Sequence, residues 1–329
     1  MTAAPYTRDT RMSRILSTLL ALAALLLAVD AIPHARAPER AVAVTFDDLP
    51  ATEAGALAND VASLRELTRK LLSAVRKHGV PAVGFVNEGK LFVEGGGPGD
   101  VDGRTGLLRM WLDAGLELGN HTYSHRDLNT MPLDQFQADV LRGETVTREL
   151  SKGKAQRLRY FRHPFLHVGS DLKARRAFEM FLSSHGYTVV PVTVDNDEFI
   201  YAAAYAGALR RGNTAAAMRI ADDYLRYMEQ VFTFFEDVSR RVTGRDIPQI
   251  LLLHANTLNA DRFDALAEAL RQRGYRFVSV ARALEDSVYR LRDEFVGAPA
   301  NSWFNHWEVT AGRPPVPTPK PPEWVSNLQ

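Results

Sequence analysis

Cysteine is absent from the 329-residue chain, and charge of either sign is nearly balanced, with a formal net charge of +1. Without cysteine there is no disulfide framework, no thiolate metal ligand and no cysteine nucleophile, so any metal must be bound by His, Asp or Glu. The total charge gives no sign of the basic surface typical of nucleic-acid-binding proteins, and we expect no nucleic-acid partner. Nothing in the sequence predicts a protein partner.

Repeats and phosphate-binding motifs are missing as well. No internal repeat of fixed period is visible. The glycine-rich segment 95–103 lacks both the GxGxxG spacing and a following Lys-Ser/Thr, so we interpret it as a flexible loop and not as a phosphate site. What is present is a hydrophobic content of 46%, which is enough for one large α/β domain or two smaller ones.

The N-terminus resembles a secretory signal. Arg8, Arg11 and Arg14 precede an apolar stretch, 15–29, that is too short to span a membrane comfortably, and small residues follow it. We therefore predict a signal peptide over 1–31, with an uncleaved anchor as the alternative. This predicts a periplasmic or secreted protein with no stable membrane span after cleavage.

Strands and helices are predicted to alternate over residues 41–285. Apolar residues recur at helical spacing from Leu57 to Val75, between the apolar strands 41–44 and 80–86, and this order is typical of a parallel sheet. Further helices are predicted over 131–150 and in a helical excursion at 200–245. We expect the aromatic residues of that excursion to pack in the core, with a sugar-binding groove as the alternative. They are Tyr224, Tyr227, Phe232, Phe234 and Phe235.

Two adjacent carboxylates, Asp47 and Asp48, follow the first predicted strand. Consecutive strand side chains point to opposite faces, so both acids can face one site only if the strand has ended and the chain is turning. A solvated turn is the simpler interpretation of this pair. Later segments, however, supply the partners that two close carboxylates would need.

The first such segment is His121-Thr-Tyr-Ser-His125. On a helix, the two imidazoles would lie roughly 40° apart on one face, close enough to share a metal. With Asp48 they form a candidate His₂Asp site for Zn²⁺ that leaves a fourth position for water. Asp47 is then available as a general base, and Thr122 and Ser124 could orient the loop.

Arg162 and His254 follow two further predicted strands. Arg162 could hold Asp47 ionised through a bidentate pair, although a surface ion pair is the alternative. His254 could protonate a leaving group, oriented by Asp195 or Glu198; the alternative is a core histidine bonded to a carbonyl.

These segments, in this order, resemble the polysaccharide deacetylase family (carbohydrate esterase family 4). The matching motifs are Thr45-Phe-Asp-Asp48, His121 to His125, Arg162-His-Pro-Phe165, Asp195 to Phe199 and Leu252-Leu-His254. The resemblance implies Asp47 as base, Asp48 with both histidines as ligands of Zn²⁺ or a related ion such as Co²⁺, and a backbone N–H near Phe165 in the oxyanion hole. Phe199 and Leu252 would line the acetyl pocket. Leu49, Glu198 and Phe199 depart from the family's Gly, Asp and Trp.

The resemblance also implies a distorted (β/α) barrel with seven or eight strands. We expect a signal peptide at 1–31, a catalytic domain at 32–300 and a Trp/Pro-rich tail at 301–329, extended over 312–322. The implied activity is removal of N-acetyl groups from an N-acetylated glycan. The alternatives are hydrolysis of another C–N bond, as in a cyclic imide or ureide, and glycan binding without catalysis.

Overall fold

The computed structural model describes residues 1–3, 40–297 and 302–328. Within these residues a single parallel sheet contains seven strands, in the order β5-β4-β3-β2-β1-β6, with β7 also paired to β1. The strands are β1 (Arg40–Leu49), β2 (Val83–Val86), β3 (Glu117–Asn120), β4 (Tyr160–Phe161), β5 (Thr188–Val189), β6 (Gln249–His254) and β7 (Tyr275–Phe277).

The sheet curves until its two edges meet. After β5, the N–H of Val190 still donates to the carbonyl of Phe161 in β4. Four residues later Val194 forms a parallel bridge with Leu251 of β6, and the Leu252 N–H donates to the Val194 carbonyl at 3.2 Å. The predicted distorted (β/α) barrel is therefore confirmed, and the strand count within the described residues agrees with it.

Helices cover the outside of the barrel, which buries the apolar strands on both faces. They are α1 (Val61–Lys77), α2 (Pro98–Asp113), α3 (Leu133–Arg142), α4 (Thr145–Lys152), α5 (Leu172–Ser184), α6 (Glu198–Arg210), α7 (Thr214–Thr243), α8 (Thr257–Gln272), α9 (Val280–Leu284), α10 (Trp303–Thr310) and α11 (Glu323–Ser326).

Two local predictions are wrong. The glycine-rich segment 95–103 is not a loop throughout, because α2 begins at Pro98, which as the first helical residue loses no intrahelical hydrogen bond. The predicted helix 131–150 is two helices separated at Gly143.

The helical excursion consists of α6 and α7, as predicted in kind. Its aromatic side chains face the interior and not a sugar groove: four are at most 3% exposed and Phe234 is partly buried. The groove alternative is therefore wrong. The four buried residues are Tyr224, Tyr227, Phe232 and Phe235.

The C-terminal tail folds back onto the barrel. Trp303 and Trp307 are buried, and the Trp303 N–H donates to the carbonyl of Val192, in the segment that closes the ring. Residues 313–322 form neither helix nor strand, as predicted. The predicted signal sequence lies outside the described residues, apart from residues 1–3. Among the helices that the structure does describe, none has the length and apolar character needed to cross a membrane.

Candidate metal centre and active site

The predicted site residues gather at the carboxyl ends of the strands, where (β/α) barrels carry their active sites. Asp47 and Asp48 lie near the carboxyl end of β1, His121 follows β3, Arg162 follows β4 and His254 ends β6. These positions are adjacent because β1 pairs with β6, and the Asp47 Cα lies opposite that of His254.

Both carboxylates of the Asp47-Asp48 pair face the cleft, but not because the strand has ended. β1 continues to Leu49, and its pairing with β2 shifts register between Phe46 and Leu49. Asp48 has a φ of +70°, in the left-handed region that non-glycine residues rarely adopt. This distortion inside the strand brings the two acids together, and backbone strain of this kind is concentrated at functional sites.

The two histidines lie on a loop and not on the predicted helix. Thr122 and His125 both have positive φ, of 67° and 52°. The Thr122 hydroxyl accepts a hydrogen bond from the His125 N–H, whereas Ser124 bonds to the Asp139 carboxylate through its N–H and its hydroxyl. Thr122 therefore orients the loop internally, and Ser124 ties it to α3.

Two glycines let this loop approach its neighbours closely. The Gly89 N–H donates to the Tyr123 carbonyl at 2.9 Å, and a Cβ on Gly89 would lie only 2.5 Å from that oxygen. A Cβ on Gly143, between α3 and α4, would lie 2.4 Å from the Thr122 carbonyl carbon. A side chain at either position would push the loop, and with it His121 and His125, away from β1.

Asp48, His121 and His125 form a candidate metal cluster. One potential ligand atom from each lies within 4.8 Å of the others. The Asp48 Oδ1 is 3.8 Å from His121 Nε2 and 3.5 Å from His125 Nε2. Two imidazoles and a carboxylate match the protein ligand set of a catalytic zinc site, which keeps a position open for water.

The protonation pattern of these groups fits a divalent cation. His121 Nδ1 lies 2.8 Å from the Arg162 carbonyl, to which it can only donate, so Nε2 keeps its lone pair for a metal. Asp48 Oδ1 is buried and has no hydrogen-bond partner among the described residues. An unpartnered buried carboxylate oxygen beside two imidazole nitrogens is what a metal ion would satisfy.

Charges around the cluster keep its ligands in the required state. Burial opposes ionisation of Asp48, but Lys90, His125 and His254 outweigh it and hold its pKa well below the usual value. Burial also lowers the pKa of both His121 and His125, which favours the neutral imidazoles that bind metals.

Arg162 contacts Asp47, but through one nitrogen and not in the predicted bidentate pair. Its NH1 is 3.3 Å from Asp47 Oδ2, while NH2 donates to the Thr45 hydroxyl and Nε to the Val190 carbonyl. Burial raises the pKa of Asp47 to about 6 despite the guanidinium. With a pKa of about 6, Asp47 is still mostly ionised at neutral pH, as a general base must be.

His254 is oriented by Glu198 and not by Asp195. Its Nδ1 lies 2.8 Å from Glu198 Oε2, whereas Asp195 forms no hydrogen bond or ion pair with it. Burial disfavours the imidazolium, but Glu198 outweighs this and raises the pKa of His254 to about 9. Asp195 lines the same cleft, and burial together with Asp197 raises its pKa to about 7.

A cleft of about 650 Å³ lies over these groups. Phe165, Phe199 and Leu252 all line it, with the two phenylalanine side chains half exposed and Leu252 buried. Phe165 has a φ of +56°, and no described residue accepts a hydrogen bond from its N–H. That amide is therefore free to donate to a ligand oxygen.

Sequence reasoning missed three supporting side chains. Lys90 Nζ is 3.3 Å from Asp48 Oδ2, and Asn256 and Asn259 both donate to Glu198 Oε1. Lys90 follows β2 and the asparagines follow β6, so each comes after a strand at the active-site end of the barrel. That position is the only signal the sequence offers for them.

Comparison with known proteins gives a family match over part of the chain. Residues 34–190 match the family model described as "Polysaccharide deacetylase". The Asp195 and Leu252 motifs lie beyond the matched residues. A search of curated protein sequences finds no match.

Several solved structures are similar to the chain. Peptidoglycan deacetylase PdaC from Bacillus subtilis is 21% identical, with 77% of this chain and 94% of that chain covered and a TM-score of 0.47. The family 4 carbohydrate esterase from Streptomyces lividans is 19% identical, with 74% and 95% covered and a TM-score of 0.44. A mutant of BA3943 from Bacillus anthracis, described as a CE4 family pseudoenzyme, is 18% identical, with 75% and 68% covered and a TM-score of 0.48.

The family model covers the Asp47-Asp48 pair and the two-histidine loop, which line one cleft, and also Arg162, which is buried and contacts Asp47. Over residues 34–190, just under half of its length, the chain is therefore similar to the polysaccharide deacetylase family.

Proposed function

We propose that the protein is a metal-dependent hydrolase that removes N-acetyl groups from an amino-sugar polymer or oligomer. One observation carries the proposal: the Asp48, His121 and His125 cluster shares one cleft with a buried carboxylate, Asp47, and a carboxylate-oriented imidazole, His254. Amide hydrolysis needs such a base and acid on either side of the reacting carbon.

Asp48, His121 and His125 would hold a divalent cation, Zn²⁺ or a related ion such as Co²⁺. When bound, such an ion polarises a carbonyl and lowers the pKa of a bound water to about 7. The remaining steps belong to the protein's own side chains.

Asp47 would take the proton of the attacking water through Oδ1, which is buried and has no partner among the described residues. As the water oxygen bonds to the acetyl carbon, the free N–H of Phe165 would donate to the developing oxyanion. His254, held protonated by Glu198, would give its proton to the sugar nitrogen as the C–N bond breaks. The products are acetate and a free amino sugar.

Acetate release from a panel of glycans tests this proposal. Metal-loaded protein should release acetate from at least one of chitooligosaccharides, poly-N-acetylglucosamine and peptidoglycan, and an Asp47→Asn variant should not. Hydrolysis of a cyclic imide without acetate release from any glycan would assign the site to other C–N bonds. Glycan binding without turnover would indicate a non-catalytic binding protein.

We further propose that residues 32–300 are the catalytic domain, that 301–329 are a tail packed on it, and that the signal peptide 1–31 directs the protein to the periplasm or outside the cell. An N-acetylated polymer as substrate supports that location, because such polymers are built into walls and extracellular matrices.

A further inference from the structure

The exposed phenylalanines of the described residues mark two neighbouring cavities. Phe165 and Phe199, 52% and 50% exposed, line the active-site cleft. Phe92, 47% exposed, lines a second cavity of about 410 Å³. Exposed aromatic side chains in concave, polar surroundings are typical of ligand sites.

The second cavity adjoins the cleft. Glu53 and His125 line both, so the two cavities lie on either side of the same two residues. Because His125 belongs to the candidate metal cluster and also lines this cavity, the cavity lies directly beside the metal centre. A polymer whose one sugar lies at the metal centre would place an adjacent sugar there.

Phe92 is held as a fixed platform. Its ring stacks on Tyr123, with centroids 6.3 Å apart and an angle of 28° between the planes. The Arg142 guanidinium lies 3.5 Å from the Tyr123 ring centroid. A ring supported in this way loses little conformational freedom when a ligand packs against it.

The cavity also offers hydrogen-bond acceptors. Asn87 is buried, lines the cavity and donates to the His121 carbonyl, but its Oδ1 has no partner among the described residues. A hydroxyl or amide N–H of a sugar would donate the missing hydrogen bond to Asn87 Oδ1, since buried acceptors are rarely left unpaired.

The charges of this cavity select the kind of sugar. The two cations, Lys90 and Arg104, are paired with Asp48 and Asp100. The carboxylates of Glu53 and Glu94 form no ion pair with any described residue. The unpaired carboxylates of Glu53 and Glu94 therefore favour a neutral or cationic sugar over one that carries a carboxylate.

We propose that this second cavity is a sugar-binding subsite with Phe92 as its platform, which accepts a neutral N-acetylated or a deacetylated amino sugar next to the unit at the metal centre. The proposal deepens the proposed function and rests on it. The substrate would then be an oligomer or polymer of amino sugars without acidic groups.

Binding to metal-loaded Asp47→Asn protein tests the subsite without turnover. By calorimetry, adding Phe92→Ala should weaken binding of an N-acetylglucosamine tetramer about tenfold, the loss expected for one well-packed aromatic anchor. Phe92→Trp should restore it. The matched control, Met180→Ala, removes an exposed apolar side chain that lines neither cavity and should leave binding unchanged. No tetramer binding, or equal binding with and without Phe92, would overturn the proposal.

Charge selection has its own test. A tetramer in which alternate sugars carry a lactyl carboxylate, as in peptidoglycan, should bind more weakly than the neutral tetramer. Replacing Glu53 and Glu94 by Gln should reduce the difference in affinity between the acidic and the neutral tetramer. Tighter binding of the acidic tetramer to the unaltered cavity would refute the assigned sugar class.

The two proposals fail in distinguishable ways. If the otherwise wild-type enzyme releases acetate from the tetramer, Phe92→Ala should raise KM about tenfold and leave kcat nearly unchanged; no change in KM would overturn the subsite alone. If no glycan releases acetate but the binding contrast at Phe92 persists, the subsite stands and the proposed function fails.

Discussion

The Nδ1 atom of His254 lies 2.8 Å from Oε2 of Glu198, and this contact joins the end of β6 to the first residue of α6. Glu198 is fully buried, and its other oxygen accepts hydrogen bonds from Asn256 and Asn259. Burial opposes the imidazolium, but the carboxylate outweighs it and raises the pKa of His254 to about 9. His254 is therefore protonated at neutral pH, as a general acid must be.

A Glu198→Gln variant should move the basic limb of the pH–rate profile. Activity needs the protonated form of His254, so it is present below the pKa of His254 and is lost as the pH rises through about 9. Without the negative charge, that pKa falls towards or below the ordinary value of about 6.5 because burial then dominates. The limb should shift by at least about one pH unit to lower pH, measured as kcat/KM against pH.

Asp195→Asn is the matched control for this shift. Asp195 lines the same cleft but does not contact His254. Its variant should move the basic limb much less than Glu198→Gln does, because Asp195 acts on His254 only through its charge and not through a hydrogen bond. If the basic limb of the pH–rate profile shifted in the Asp195→Asn variant but not in the Glu198→Gln variant, Asp195 and not Glu198 would be the acid that orients His254.

Asp48→Ala and His125→Ala should each abolish stable metal binding. The wild type should hold about one Zn²⁺ per chain after dialysis, measured by elemental analysis, because three protein ligands are available. His167→Ala is the control, since His167 lines the cleft and contacts Asp127 but lies outside the cluster. Full metal retention in both ligand variants would contradict the assigned site.

Asp47→Asn should keep the metal and lose turnover. The amide preserves the size of the side chain and can still contact Arg162, so the fold and the ligand cluster should be unaffected. Removing a general base lowers kcat by about 10² to 10⁴-fold. Acetate release and metal content should be measured on the same preparation. Rates near those of the wild type would exclude Asp47 as the base.

The convergence of the site could be predicted from the sequence. Apolar runs end on polar residues at Asp47, His121, Arg162 and His254, and parallel strands of a barrel present their carboxyl ends on one face. Strand periodicity therefore predicted which side chains meet. It did not require any knowledge of side-chain rotamers or of the loops between the strands.

The local geometry of the site could not be predicted, because tertiary contacts override the local pattern. His121 and His125 have helical spacing, yet Gly89 and Asp139 hold the segment as a loop with positive φ. Likewise, the sequence could not separate Asp195 from Glu198. The choice depends on α6 beginning at residue 198, two residues before the predicted start of the helical excursion at 200.

Helix α7 and the C-terminal tail both contact the start of α6. The Tyr227 hydroxyl in α7 accepts a hydrogen bond from the Asp197 N–H and donates to the Pro319 carbonyl in the tail. Lys320 Nζ also lies 2.9 Å from Asp197 Oδ2. The Tyr227 hydrogen bond and the Lys320 ion pair both involve Asp197, which precedes Glu198. The stronger of the two contributes more to holding Glu198 in place.

Tyr227→Phe should destabilise the protein by about 1–2 kcal/mol, because it leaves the Asp197 N–H and the Pro319 carbonyl unpaired in a largely buried setting. Lys320→Ala should cost less than about 0.5 kcal/mol, since the Lys320 side chain is 70% exposed and exposed ion pairs contribute little. Urea unfolding of the two variants measures both free energies. A larger loss for Lys320→Ala than for Tyr227→Phe would show that the ion pair, and not the buried hydroxyl, holds the tail against α6.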